Sequence, residues 1–149
     1  MSQASDAVGA IGVDLYFELQ DFYARQTQLL DGEDGVGFAA TFTEDGKFVH
    51  LPRGEVVSGR HRIGVETQAN LESLSRQGIA RRHWFNMLVG EVGPDGVIRT
   101  RFSAIITRTD AEGSVSIEPT CEVEDVLVRD EGRLLNHSRT VRTDVPTPR

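Results

Sequence analysis

From Ala80 to Asp144 the chain alternates apolar and polar residues in long stretches separated by turn-forming residues, and this pattern most narrows the folds open to it. The stretches run from Ala80 to Val92, Val97 to Arg108, Ser114 to Arg129 and Arg133 to Asp144. Gly93-Pro-Asp-Gly96, Thr109-Asp-Ala-Glu-Gly113 and Asp130-Glu-Gly132 divide them. Pro119 cannot donate to a ladder, so it marks an edge or a bulge inside the third stretch. The first half reads differently. Ile11, Leu15, Leu19, Phe22, Leu29 and Leu30 recur near helical spacing, with Ser5 or Asp6 as a possible start and Asp31-Gly32 as the stop. A second short helix is expected from Gly37 to Phe42. A short strand follows over Lys47 to Leu51, and a third helix runs from Ser58 to Ser75 with Ser58 as its N-cap. Three helices followed by long hairpins imply an α+β fold, with the helices on one face of a curved, mainly antiparallel sheet. Such a sheet curls into a half-barrel whose open mouth makes a pocket.

At 149 residues the chain is expected to form one domain with a sizeable core. Its net charge of −7 disfavours a nucleic-acid partner, because gripping phosphates takes a basic face. The single cysteine, Cys121, forbids an intrachain disulfide and fits a reducing, cytoplasmic setting. Neither a secretory leader nor a membrane-spanning run is expected, and the proline-bearing stretch from Val145 to Arg149 reads as a frayed tail. Lys47 is the only lysine, which leaves little for Schiff-base chemistry. His50, His61 and His137 lack metal-ligand spacing, so neither metal nor cofactor is expected.

His83 lies in Arg81-Arg-His-Trp-Phe-Asn-Met87. Strand alternation puts His83, Phe85, Met87 and Val89 on one face and Trp84, Asn86 and Leu88 on the other. An apolar setting favours the neutral imidazole that a general base needs, and a carboxylate nearby would orient one ring nitrogen. The alternative is a structural histidine bonded to a backbone carbonyl. Asp31 closes the first helix against the helix dipole, which marks it either as a carboxylate aimed inward or as a plain turn residue. Alternation groups Cys121, Val123, Asp125 and Leu127, and an inward Asp125 calls for a partner such as Arg139. Arg101 and Ser103 share a face and could polarise a ligand carbonyl or meet solvent. Cys121 reads as a small core residue rather than a nucleophile.

Taken in order, Phe22-Tyr-Ala-Arg-Gln-Thr-Gln-Leu-Leu-Asp-Gly-Glu-Asp34, Phe42-Thr-Glu-Asp-Gly-Lys-Phe48, Val57-Ser-Gly59, Arg82-His-Trp-Phe-Asn86 and Glu124-Asp-Val-Leu-Val-Arg129, with Gly132 and Arg139, resemble SnoaL-like proteins of the NTF2-like superfamily. The resemblance implies a cone-shaped barrel, often a homodimer, around a hydrophobic pocket. In the branch similar to scytalone dehydratase, an Asp at the end of the first helix pairs with a His on the first long strand, and Asp31 and His83 match these positions. Leu30 stands where that branch has an aromatic hydroxyl beside the Asp, His50 stands where it has a second Tyr, and its second His has no counterpart. The same pattern is also similar to the β subunit of ring-hydroxylating dioxygenases, which is structural.

Two functions follow from the resemblance. The first is a cofactor-free dehydratase, cyclase or isomerase acting on a hydrophobic polyketide- or terpenoid-like molecule, with Asp31 and His83 as the catalytic dyad. Its candidate substrate contacts are His50, Trp84, Asn86, Arg101, Ser103, Cys121 and Asp125. The second is a non-catalytic oxygenase subunit or a small-molecule binding module. For the first, the expected partners are a small hydrophobic molecule and a second copy of the chain, with no nucleic acid and no membrane; an oxygenase subunit would instead form a stable complex with a larger iron-bearing partner.

Overall fold

A computed structural model describes residues 10–145. The positions suggested for a helix start, Ser5 and Asp6, and the last four residues of the tail lie outside the described residues. Helix α1 (Val13–Asp31) follows Gly12 at its N-cap, without a side-chain cap. Leu15, Leu19, Phe22, Tyr23, Gln26 and Leu30 recur at helical spacing and turn inward, so the buried stripe includes two polar side chains among the apolar ones. Helix α2 (Gly35–Ala39) starts two residues before the expected point, because the Asp34 side chain accepts from the Gly37 N–H at 2.7 Å and caps it. Helix α3 (Arg60–Arg76) starts after Gly59, while Ser58, the expected cap, belongs to a strand.

The strands are β1 (Phe42–Leu51), β2 (Glu55–Ser58), β3 (Ala80–Val92), β4 (Ile98–Thr109), β5 (Val115–Ile117), β6 (Cys121–Asp130) and β7 (Arg133–Thr143). They form one sheet in the order β2-β1-β7-β6-β4-β3, with β5 paired to β4. All pairings are antiparallel except β1 with β7. Strand β1 begins five residues before the expected Lys47, because Glu44-Asp-Gly46 forms a bulge rather than a turn. The register against β7 slips between Phe42 and Lys47. Pro119 splits the expected third stretch into β5 and β6. Strand β2 follows the turn at Pro52-Arg-Gly54 and is too short to stand out by alternation.

Alternation along β3 holds only as far as Phe85. Met87 adopts φ 57°, the register shifts between Asn86 and Val89, and the inward face passes to Leu88 and Gly90. Met87 and Val89 therefore point outward, contrary to the period-two reading. Asn86 Oδ1 accepts from the Met87 N–H at 2.8 Å and holds the bulge.

Two packed clusters make up the core. One joins Leu19 and Tyr23 of α1 to Phe102, Val123 and Leu127 of the sheet. The other joins Phe38 of α2 to Phe42, Val57 and Ile63. Close approach of α2 to α3 sets the second cluster: a Cβ on Gly35 would lie 2.6 Å from the backbone nitrogen of Gln68. Among the described residues, no helix is long and apolar enough to cross a membrane.

Candidate active site

A cavity of about 530 Å³ opens where the two clusters meet. This is within the usual range for small-molecule pockets, roughly 300–1,000 Å³. Phe38, Phe48, Ile63, Phe85, Ile106 and Val141 supply much of its apolar wall. His83 lines the cavity, as do His50, Cys121 and Arg139, and Arg53, Arg81, Arg108 and Glu118 add charge to the lining. Arg81 holds Glu118 through two bonds of 2.6 and 3.2 Å, which ties β3 to the segment between β5 and β6.

The end of α1 brings Asp31 to this wall. The N–H of Asp34 donates to Leu29 O at 2.8 Å and that of Glu33 to Leu30 O at 3.0 Å, with Glu33 at φ 62°. These are the paired bonds of a Schellman closure, with glutamate in the left-handed position that glycine usually takes. Strand β3 is an edge of the sheet, so alternate N–H groups along it have no strand partner. Asp31 fills one such vacancy: its carboxylate accepts from the His83 backbone N–H at 3.2 and 3.4 Å. The same carboxylate meets His83 Nδ1 at 2.8 Å. These donors offset the unfavourable placement of a carboxylate at a helix C-terminus. Because the carboxylate only accepts, Nδ1 carries the proton and the Nε2 of a neutral ring is basic. Nε2 bonds to no described residue, and His83 forms cavity wall with Asp31 behind it.

His50 also reaches the cavity. Its ring stacks on Phe48 with centroids 4.8 Å apart, and its buried Nδ1 has no hydrogen-bond partner among the described residues. Burial, helped by the nearby Arg53 cation, holds its pKa below the ordinary imidazole value. Burial, with the Asp144 carboxylate adding to it, pushes the Cys121 thiol up, which suits an inert core residue.

Four of the expected contacts lie elsewhere. Because His83 and Phe85 face inward, their neighbours Trp84 and Asn86 face out. Trp84 is 55% exposed and bonds to Thr107. Phe102 and Ala104 are buried, which turns Arg101 and Ser103 to the same outer face. None of the four lines the cavity. Asp125 points inward but lies below the cavity, bound to Arg139 through bonds of 2.9 and 2.8 Å. Arg139, which alternation marks only as a partner for Asp125, also forms part of the cavity wall. A lone inward arginine opposite an inward aspartate was the available signal. No cluster of three or more metal-ligating side chains occurs among the described residues.

The architecture is that of the NTF2-like fold, with helices packed on an open curved sheet. The chain belongs to the SnoaL-like domain family, whose model matches residues 13–140. Aln2 from a Streptomyces species is 40% identical with a TM-score of 0.83, over 89% of this chain and 93% of that one. ActVI-ORFA from Streptomyces coelicolor is 37% identical with a TM-score of 0.83, over 92% of this chain and all of that one. A Catenulispora acidiphila protein solved in complex with S-DNPA is 37% identical with a TM-score of 0.77, over 89% and 95% of the two chains. Comparison with curated proteins found no match.

Proposed function

We propose that this chain is a cofactor-free acid–base enzyme, a dehydratase, cyclase or isomerase, acting on a hydrophobic polyketide- or terpenoid-like molecule held in the cavity. The observation that carries this reading is the 2.8 Å contact of Asp31 with Nδ1 of a histidine that lines that cavity. Membership of the SnoaL-like family and the similarity to a protein solved with S-DNPA support a small-molecule substrate. In the proposed step, His83 Nε2 takes a proton from carbon next to a carbonyl, and Asp31 stabilises the imidazolium that forms. The proton then returns to a departing hydroxyl, or to a different carbon if the product is an isomer. Asp31 acts as a positioning residue, because His83 stands between it and the cavity. His50 and Cys121 are substrate contacts in this reading.

The test uses 2-tetralone, an enolisable bicyclic ketone, in D2O. Wild-type protein is expected to speed α-proton exchange, read by NMR, and His83→Ala to slow it by about 10²–10⁴-fold. A folded His83→Ala protein that exchanges at the wild-type rate would overturn the reading.

The outer sheet face supports a second element, a homodimer. Trp84 pairs in register with Ile105, and both are exposed beside the exposed Met87 and Val89. An apolar patch of this kind on an open sheet favours a second copy as its cover. Light scattering that gives a monomer mass at micromolar concentration would exclude it.

A further inference from the structure

Arg139 carries more hydrogen-bonding capacity than its ion pair uses. Its Nε and Nη2 hold the two oxygens of Asp125, and Nη2 also donates to Gln26 Oε1 at 2.6 Å. Nη1 donates to no described residue. The residue is only 2% exposed, yet it forms part of the cavity wall. A buried guanidinium with unused N–H groups is costly unless something accepts from them.

The surroundings hold this group still. Its central carbon lies 5.9, 5.5 and 5.8 Å from the ring centroids of Tyr23, Phe85 and Phe102. Gln26 is itself fixed by donating to Thr41 Oγ1 at 2.8 Å. Asp125 does not spend its charge on Arg139 alone. Its Oδ2 also accepts from Tyr23 Oη at 2.9 Å and from Asn136 Nδ2 at 3.0 Å. Tyr23 stays a neutral donor, since burial and the adjacent Asp125 push its pKa well above the phenolic value. Part of the guanidinium charge is therefore left to act on the cavity. Phe85 connects the two halves of the site, as it packs edge-on to His83 at 6.4 Å and stands beside the guanidinium.

We propose that Arg139 anchors an anionic substrate oxygen, which accepts from Nη1 at the cavity wall. The oxygen has two possible sources. It belongs to a fixed carboxylate, or it is the enolate oxygen that forms when His83 acts. The enolate version rests on the acid–base reading above: the C–H bond breaks, its proton goes to Nε2, the freed pair forms the C=C bond, and the carbonyl pair moves onto the oxygen held by Arg139. This gives the site an oxyanion partner that the outward-facing Asn86, Arg101 and Ser103 do not supply.

Calorimetric titration with 2-naphthoate, 2-naphthol across its ionisation, and neutral 2-acetonaphthone tests the anchor. Wild type is expected to prefer an anionic probe over 2-acetonaphthone by about tenfold or more. Preference for naphthoate marks a fixed carboxylate, and affinity for 2-naphthol that rises as it ionises marks an enolate. Arg139→Lys keeps a cation beside Asp125 but removes Nη1, and Asp125→Asn/Arg139→Gln removes both charges. Both variants are expected to lose the preference while still binding 2-acetonaphthone. A wild type without anion preference, or folded variants that keep it, overturns the proposal. Binding needs no turnover, so His83→Ala is expected to keep the preference even if it exchanges 2-tetralone normally. Failure of the base is thereby separated from failure of the anchor.

Discussion

Asp31 Oδ1 sits 2.8 Å from the ring Nδ1 of His83 and 3.2 Å from the backbone nitrogen of the same residue. One carboxylate at the end of α1 thus sets both the position of the strand and the tautomer of the ring. In ¹⁵N NMR, neutral His83 is expected to show a protonated Nδ1 and a bare Nε2. Asp31→Asn offers an amide that can donate to the ring, so the population is expected to shift toward the Nε2–H form. Exchange of 2-tetralone is expected to fall by roughly a hundredfold or more with it. An unchanged tautomer in Asp31→Asn would mean that the carboxylate does not set the ring.

Each half of this pair was legible in the sequence as a candidate, and their pairing came from the resemblance to SnoaL-like proteins. Asp31 stands at a helix stop against the dipole, and His83 lies in an alternating run that is regular up to Phe85. What lay beyond was hidden by local backbone events. Met87 at φ 57° reverses the alternation of β3, and a methionine gives no notice of a left-handed position. Glu33 closes α1 where the sequence points to Gly32. Trp84, Asn86, Arg101 and Ser103 were candidate contacts, but alternation on β3 and β4 sends all four to the other face. Arg139 reaches the cavity only because β7 lies between β1 and β6, a neighbourhood that depends on the parallel β1–β7 pairing and not on any local pattern.

The buried pair of Arg139 and Asp125 makes a stability prediction. Arg139→Met leaves the wholly buried Asp125 side chain without its cationic partner and is expected to cost about 3–5 kcal/mol in urea unfolding. Asp125→Leu/Arg139→Met removes the stranded carboxyl group and is expected to recover part of that loss. Recovery stays incomplete, because Tyr23, Gln26 and Asn136 each lose a partner. A double variant less stable than Arg139→Met would show that the stranded carboxyl group is not what makes the site fragile.

His50 makes a prediction about pH. Its folded pKa lies below the ordinary 6.5, first because of burial and then because of Arg53. Between the two values the unfolded chain holds more protons than the folded one, so stability rises with pH there. The contribution is complete above the unfolded value and is lost as pH falls toward the folded one. His50→Phe keeps a ring on Phe48 without a titrating nitrogen. Melting temperatures from about pH 5 to pH 8 are expected to show a shallower acid decline for His50→Phe than for wild type. Parallel profiles would mean that His50 is not titrated by folding.

Gly35 tests the packing that shapes the cavity from the helix side. An alanine Cβ there would lie 2.6 Å from the backbone nitrogen of Gln68 and 2.8 Å from its Cα, and backbone atoms of α3 do not move aside singly. Alanine gains up to about 1 kcal/mol of helix propensity over glycine. Overpacking costs about 1–3 kcal/mol, and the parting of α2 from α3 also threatens the 2.8 Å bond from the Gly35 N–H to Gln68 Oε1. The net effect of Gly35→Ala is therefore expected to be destabilising. Gly12→Ala serves as the control, since a Cβ there meets nothing within 4 Å. Phe38 on α2 forms cavity wall, so Gly35→Ala is also expected to weaken binding of 2-acetonaphthone. A Gly35→Ala protein as stable as Gly12→Ala, with unchanged affinity, would show that α2 can shift away from α3 without disturbing the cavity.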